Sequence, residues 1–259
     1  MSYIHPILHD RRHRQYASYA QPALNMESLT QTLETIRACH SCWLMADNQK
    51  LGIPYIPIHP KPNAKFVFIG RDPSPRTATC VGVRGGRSVF INEVFALADD
   101  AGIPEEAIYI TDMCKCHWRT SRGKPWEGTK DRSTFLPIDV AEACVRTWLF
   151  KEIHILNPKL ILSFGEELYQ LIKRYLVEPN PVPEKLSATR DKSQMDAELH
   201  FSENGPFKIR LGSILSDFVP LRHPGNSTSL IRSVPSDKRW QAHQEPRKRV
   251  VKLLRAGCA

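Results

Sequence analysis

Apolar and polar positions alternate along this chain in blocks that favour an α/β fold. Lys65-Phe66-Val67-Phe68-Ile69-Gly70 is a short apolar run closed by glycine, the pattern of a strand buried on both faces. Ala107 to Thr111, Lys159 to Gly165 and Leu215 to Leu221 read the same way. Between them lie stretches with helical spacing. Leu29, Leu33 and Ile36 share one face behind Ser28, a suitable N-cap. Val89, Phe90, Val94, Leu97 and Ala98 mark a helix over 88–101. Ala141, Val145, Trp148, Leu149 and Ile153 mark another, with Asp139 as its cap and Pro158 beyond its end. Residues 166–176 suit a further helix.

Strands alternating with helices predict a central, mostly parallel four-stranded sheet flanked by helices. Residues 1–24 lack a clear period and read as an N-terminal extension. Residues 25–231 form the α/β domain, 178–207 read as a polar, Pro-bearing insertion or mobile loop, and 232–259 as a basic C-terminal segment. In such folds ligands bind outside the carboxyl ends of the strands. Asp72, Asp112 and His223 each fall at or just after such an end, which makes them one candidate site.

Charge adds a candidate partner. The formal net charge is +9. Within 232–255 the only acids are Asp237 and Glu245, and Lys115, Arg119, Arg122, Lys124, Lys130 and Arg132 interleave with Trp118 and Trp126. Cations pair with phosphates and aromatics stack on unpaired bases, so the pattern suits nucleic acid; a solvated basic loop would look similar. No apolar run reaches the roughly 18 residues that span a bilayer. The N-terminus shows no basic segment followed by an apolar one, so no signal peptide is expected.

Seven cysteines are present. Cys39 and Cys42 form a close CxxC pair, and Cys116 and Cys144 follow at long range. Four thiolates of this kind suit a structural Zn²⁺ or an iron–sulfur cluster, with Cys114 an alternative to Cys116. Ligand-like spacing fits a reducing cytoplasm better than a disulfide scaffold.

Several short segments now fall into a familiar order. Gly70-Arg71-Asp72-Pro73 resembles the G-Q-D-P motif of uracil-DNA glycosylases, at the chain position of the G-E-A-P-G motif of their iron–sulfur relatives. Tyr109-Ile110-Thr111-Asp112-Met113-Cys114-Lys115-Cys116 resembles the Y-I-T-N-x-x-K-C segment of the iron–sulfur branch, and His223-Pro224 resembles the H-P of the last superfamily motif. The chain is thus similar, over about 30–228, to the iron–sulfur branch of the uracil-DNA glycosylase superfamily.

That resemblance implies a DNA glycosylase of base-excision repair, acting as a monomer on a flipped or single-stranded base. It implies a structural [4Fe-4S] cluster on Cys39, Cys42, Cys116 and Cys144, zinc being the alternative. Breaking an N-glycosidic bond builds positive charge on the sugar and negative charge on the base, so a nearby anion and a donor to the base both help. The matching residues are Asp72 and His223. Gly70, Arg71, Phe90 and Asp112 would line the base site, Phe90 by stacking. Ser74, Arg119, Arg122, Lys124 and Ser227 would meet DNA, and Leu230 would wedge into the stack. Asp112 departs from the family, which usually has Asn. A carboxylate only accepts hydrogen bonds, so it suits an exocyclic amine better than uracil O4. The competing expectation is a non-catalytic iron–sulfur protein of the same fold that binds nucleic acid.

Overall fold

The structure is a computed structural model that describes residues 28–39, 61–71, 88–116, 138–177, 190–224 and 237–258. The strands are β1 (Phe66–Gly70), β2 (Ile108–Asp112), β3 (Leu160–Phe164), β4 (Leu176–Val177), β5 (Phe207–Leu211) and β6 (Ile214–Leu221). They form one six-stranded sheet in the order β2-β1-β3-β6-β5-β4. The β2, β1, β3 and β6 pairings are parallel, whereas β5 pairs antiparallel with β6 and β4 with β5. The sheet is therefore mixed and has six strands, not four. Every residue of β1, β2 and β3 is buried, as expected for parallel strands covered on both faces.

Local chemistry sets the helix ends. In α1 (Leu29–Arg37) the Ser28 hydroxyl accepts from the Gln31 N–H at 3.2 Å, and the Gln31 side chain accepts from the Ser28 N–H at 2.8 Å, a reciprocal capping box. Helix α2 (Val89–Ala101) starts at Ser88, whose hydroxyl accepts from the Ile91 N–H, and stops at Gly102 in the left-handed region, φ 68°. Helices α3 (Ile138–Cys144) and α4 (Phe150–Leu156) run on through a π turn at Val145–Leu149, which begins right after Cys144. Helix α5 (Glu166–Ile172) follows β3.

Two segments depart from the sequence expectation. Within the stretch expected to be an insertion or loop, Arg190–Asn204 forms helix α6, with Ala197 and Phe201 buried and packed on β6. Its neighbour β5 alternates inward Phe207, Ile209 and Leu211 with outward Lys208 and Arg210. The basic C-terminal stretch contains helix α7 (Asp237–Cys258), whose Val250 and Leu254 are fully buried against the domain. A Cβ at Gly257 would sit 2.7 Å from the Phe66 ring, so the helix end lies directly on β1. The Lys159 ammonium donates to the Gly257 carbonyl at 3.0 Å. Among the described residues no helix is long and apolar enough to cross a membrane.

Candidate active site

The parallel register places Gly70 of β1 opposite Asp112 of β2, at the carboxyl ends of both strands. The approach is close. A Cβ at position 70 would collide with Asp112 Oδ1 and stand 2.9 Å from the Phe90 ring. Only glycine leaves room for this carboxylate and ring to meet over the tip of β1. The Phe90 ring in turn meets Phe164, at the end of β3, edge-on with centroids 5.2 Å apart. One buried carboxylate and two rings thus converge where three parallel strands end, the position at which α/β folds bind ligands.

The backbone past these tips is tied across the strands. The Met113 N–H donates to the Gly70 carbonyl and the Cys114 N–H to the Arg71 carbonyl, both at 2.9 Å. The turn after β2 is therefore tied by its backbone to the end of β1 and the residue after it. Arg71, partly exposed, faces Glu167 of α5 at 3.6 Å. It borders the site from the β3 side.

Beneath Asp112 lies an ionic network that sequence reading missed. Lys115 is buried, and its ammonium donates to the Thr111 hydroxyl at 2.7 Å, the Asp112 carbonyl at 2.8 Å and Glu152 Oε2 at 2.5 Å. Glu152, on α4, has no exposed surface and also accepts from the Tyr109 hydroxyl at 2.9 Å and from Thr111. Lys115 is thus not part of the basic surface expected over 115–132. It neutralises a buried carboxylate and pins the backbone of Asp112. A buried charge demands such a partner; the signal was a Lys inside an otherwise apolar turn, but its partner lies 37 positions away.

His223 is half-buried and follows β6, whose end pairs with that of β3. The residue before it is held by α6. Glu198 Oε2 pairs with the Arg222 guanidinium at 2.7 Å, and Glu198 Oε1 accepts from the Arg222 N–H at 3.3 Å. Glu198 is 2% exposed. Burial pushes its carboxyl pKa up, and Arg222 offsets only part of that rise.

Three cysteines gather beside β2. The Cys144 thiol accepts from the Lys115 N–H at 3.3 Å and from the Cys114 thiol. The Cys114 hydrogen bond lowers the Cys144 pKa despite burial, with help from the Lys115 charge. Cys114 moves the other way, well above its usual value, because it is the donor in that bond and is buried. The shift at Cys144 is in the direction of the thiolate, the form in which cysteine binds metals. Cys116 lies next to this pair, and half-buried Cys39 ends the turn after α1, which packs on α4. Among the described residues no group of three or more His, Cys, Asp or Glu is arranged around a metal position. Cys42, one of the four expected ligands, lies outside the described residues. Thiols are the donors that zinc and iron–sulfur groups take.

The structure thus brings together Gly70, Phe90 and Asp112, sets Arg71 beside them, and puts His223 at a neighbouring region of the same sheet edge. Asp72, Ser74, Arg119, Arg122, Lys124, Ser227 and Leu230 lie outside the described residues. Asp72 is the next residue in the chain after Arg71. A family profile described as the Uracil DNA glycosylase superfamily matches residues 57–242, a span that holds Gly70, Asp112 and His223 alike.

Proposed function

The chain belongs to the uracil DNA glycosylase superfamily, and from that premise we propose that it hydrolyses the N-glycosidic bond of uracil or another deaminated base in DNA. The observation that carries this reading is the convergence of Asp112 and Phe90 over Gly70 at the carboxyl ends of β1 and β2. A buried acceptor beside an aromatic ring matches the needs of base recognition, namely an edge to read and a face to cover.

In the proposed reaction the C1′–N bond breaks and water adds its oxygen to C1′. Asp72, one residue beyond Arg71, stabilises the oxocarbenium-like sugar and orients that water. His223 donates to the base O2 as negative charge builds there. Phe90 covers the flipped base and Asp112 reads its edge. Ser74 and Ser227 bind phosphate, Leu230 fills the gap left in the stack, and Arg119, Arg122 and Lys124 extend the DNA contact. Asp112 points to an altered or broadened base range, because an ionised carboxylate repels uracil O4 and accepts from an exocyclic amine.

Cys39, Cys42, Cys116 and Cys144 are proposed to hold a [4Fe-4S] cluster, with zinc the alternative. That group would supply cross-linking rather than chemistry. It would fasten α1 to the turn after β2 and to the end of α3.

The test is base release from oligonucleotides carrying one uracil, hypoxanthine, xanthine or undamaged cytosine, in single and double strands. Alkali-labile sites appear with the parent protein. Asp72→Asn abolishes them and His223→Ala lowers them about 100-fold or more. Asp112→Asn shifts the profile toward uracil. A parent protein that binds each DNA yet releases no base points instead to a non-catalytic binding protein of this fold.

A further inference from the structure

The chain leaves β6 with a hydrogen-bonding problem. Leu221 is the last residue paired to β3, opposite Phe164, and its carbonyl accepts from the Gly165 N–H at 3.0 Å. The next N–H, that of Arg222, lies beyond the ladder. A half-buried N–H at a strand end needs an acceptor, and its acceptor fixes the direction in which the chain departs. Here that acceptor is Glu198, which meets the N–H with one oxygen and the guanidinium of the same residue with the other. The carboxylate has almost no solvent contact, and it stands on α6 next to Ala197 and one turn before Phe201, both buried against the domain. One hydrogen bond to the backbone and one ion pair to the side chain, both from a single buried carboxylate, restrain that residue's backbone and side chain together. The residue they define immediately precedes His223.

We propose that Glu198 is a positioning residue for His223: helix α6 reaches across to Arg222 and sets where the imidazole stands relative to the tips of β1 and β2. This rests on the reading of His223 as the donor to the departing base. The chemistry explains why a carboxylate serves. A neutral side chain could take the N–H but would leave the partly buried guanidinium without its anion, whereas Glu198 accepts from the N–H and also stands as the counter-charge to the guanidinium. Misplacing a catalytic donor by about 1 Å costs on the order of 100-fold in rate, so a residue that never touches DNA still controls the chemical step.

Two measurements test it. The first needs no activity: ¹⁵N–¹H correlation spectra of the imidazole groups, with His223 identified by its loss in His223→Ala. Glu198→Ala shifts or broadens the His223 signals while the other histidines away from α6 stay put. Glu198→Gln, which keeps an acceptor for the Arg222 N–H, moves them less. The second is single-turnover base release on whichever base the parent excises. Glu198→Ala slows the step roughly 10- to 100-fold with DNA affinity unchanged, Glu198→Gln recovers part of the loss, and adding Glu198→Ala to His223→Ala slows it no further. Phe201→Leu loosens the packing of the same helix without touching Arg222, and leaves the rate per folded molecule unchanged.

Unmoved His223 signals in both Glu198 variants overturn the proposal, as does a rate loss that Phe201→Leu reproduces. Should Glu198→Ala not fold, Glu198→Gln carries both measurements, and an unaltered spectrum and rate there also overturn it. A parent protein without base release defeats the glycosylase reading alone, because the spectra still decide whether Glu198 sets the place of His223.

Discussion

The tips of β2 and β6 carry two of the residues assigned to base recognition and chemistry, and they are held in different ways. Past β2, Asp112 is fixed by an ion pair with no access to water: Lys115 grips its carbonyl, Thr111 and Glu152, and Glu152 is shared with Tyr109. Past β6, the residue before His223 is fixed by one carboxylate from a distant helix, and the Arg222 side chain keeps a quarter of its surface in solvent. The first arrangement is part of the core. The second is a strut laid against it. Damage at the β2 tip should therefore register as lost folding, and damage at the β6 tip as altered local geometry in a folded protein.

The strongest challenge to this contrast is Lys115→Ala. It leaves the buried Glu152 carboxylate without its cation, a loss of about 3–5 kcal/mol. Replacing both partners with apolar residues, Lys115→Met with Glu152→Leu, recovers much of it, since the bonds left broken are those of Tyr109, Thr111 and the Asp112 carbonyl. Urea unfolding of the three proteins gives the comparison. If Lys115→Ala unfolds at the parent midpoint, the β2 tip is no more central than the β6 tip. Next in size is Gly70→Ala. The new methyl must push aside Asp112 and Phe90, costing about 1–3 kcal/mol in overpacking. It also closes the place where the base edge is proposed to be read. Base release should fall much further than the melting temperature does, and equal losses would remove Gly70 from the site.

At the β6 tip the informative quantity is a slope. The Glu198 pKa is raised in the folded state by burial, so between its unfolded and folded pKa values the native protein holds a proton that the unfolded chain has released. Stability contributed by this group is complete below the ordinary glutamate range and declines as pH rises through the raised folded value. Glu198→Gln has no such proton to lose. The stability of the parent relative to Glu198→Gln should therefore fall as pH climbs from the acid side toward neutrality. A difference that stays flat with pH would mean that Arg222 fully compensates the buried charge.

The two tips were also unequally legible in the sequence. The parallel strands announced themselves as apolar runs, and β1, β2, β3 and β6 lie within a residue of where those runs placed them. Asp72, Asp112 and His223 were proposed by the rule that sites follow strand ends, and Gly70 by the resemblance of its motif. The ionic network was not, because its members are scattered over β2, the following turn and α4, and only folding brings them together. Helix α6 was hidden for another reason. Its anchoring face includes Glu198, so a charge stands where a pattern of apolar spacing looks for a hydrophobic side chain. Strand β5 had a clear period of two, but its first residue, Phe207, fell inside a stretch dismissed as loop, which cut the alternation at its start.

At the C-terminus, where basic residues suggested a surface for nucleic acid, the structure gives three of them a role inside the fold. Arg247 pairs with Glu93 at 3.0 Å and with Asp100, both at α2, while Arg249 donates to the Phe201 carbonyl and Arg255 to that of Asp100. These cations join α7 to its neighbours, and their charge is already matched by acids or carbonyls inside the fold. Arg247→Ala should accordingly cost about 1 kcal/mol, because the cluster is partly exposed and its charges are partly screened. Its effect on DNA should be smaller still. Each lost phosphate contact flattens the plot of log affinity against log salt by about 0.9 on a duplex. Arg247→Ala leaves that slope unchanged if the guanidinium serves the α2–α7 seam. A slope reduced by about one phosphate would show that the same side chain turns from Glu93 and Asp100 to the backbone of DNA, and that α7 is a binding surface as well as a brace.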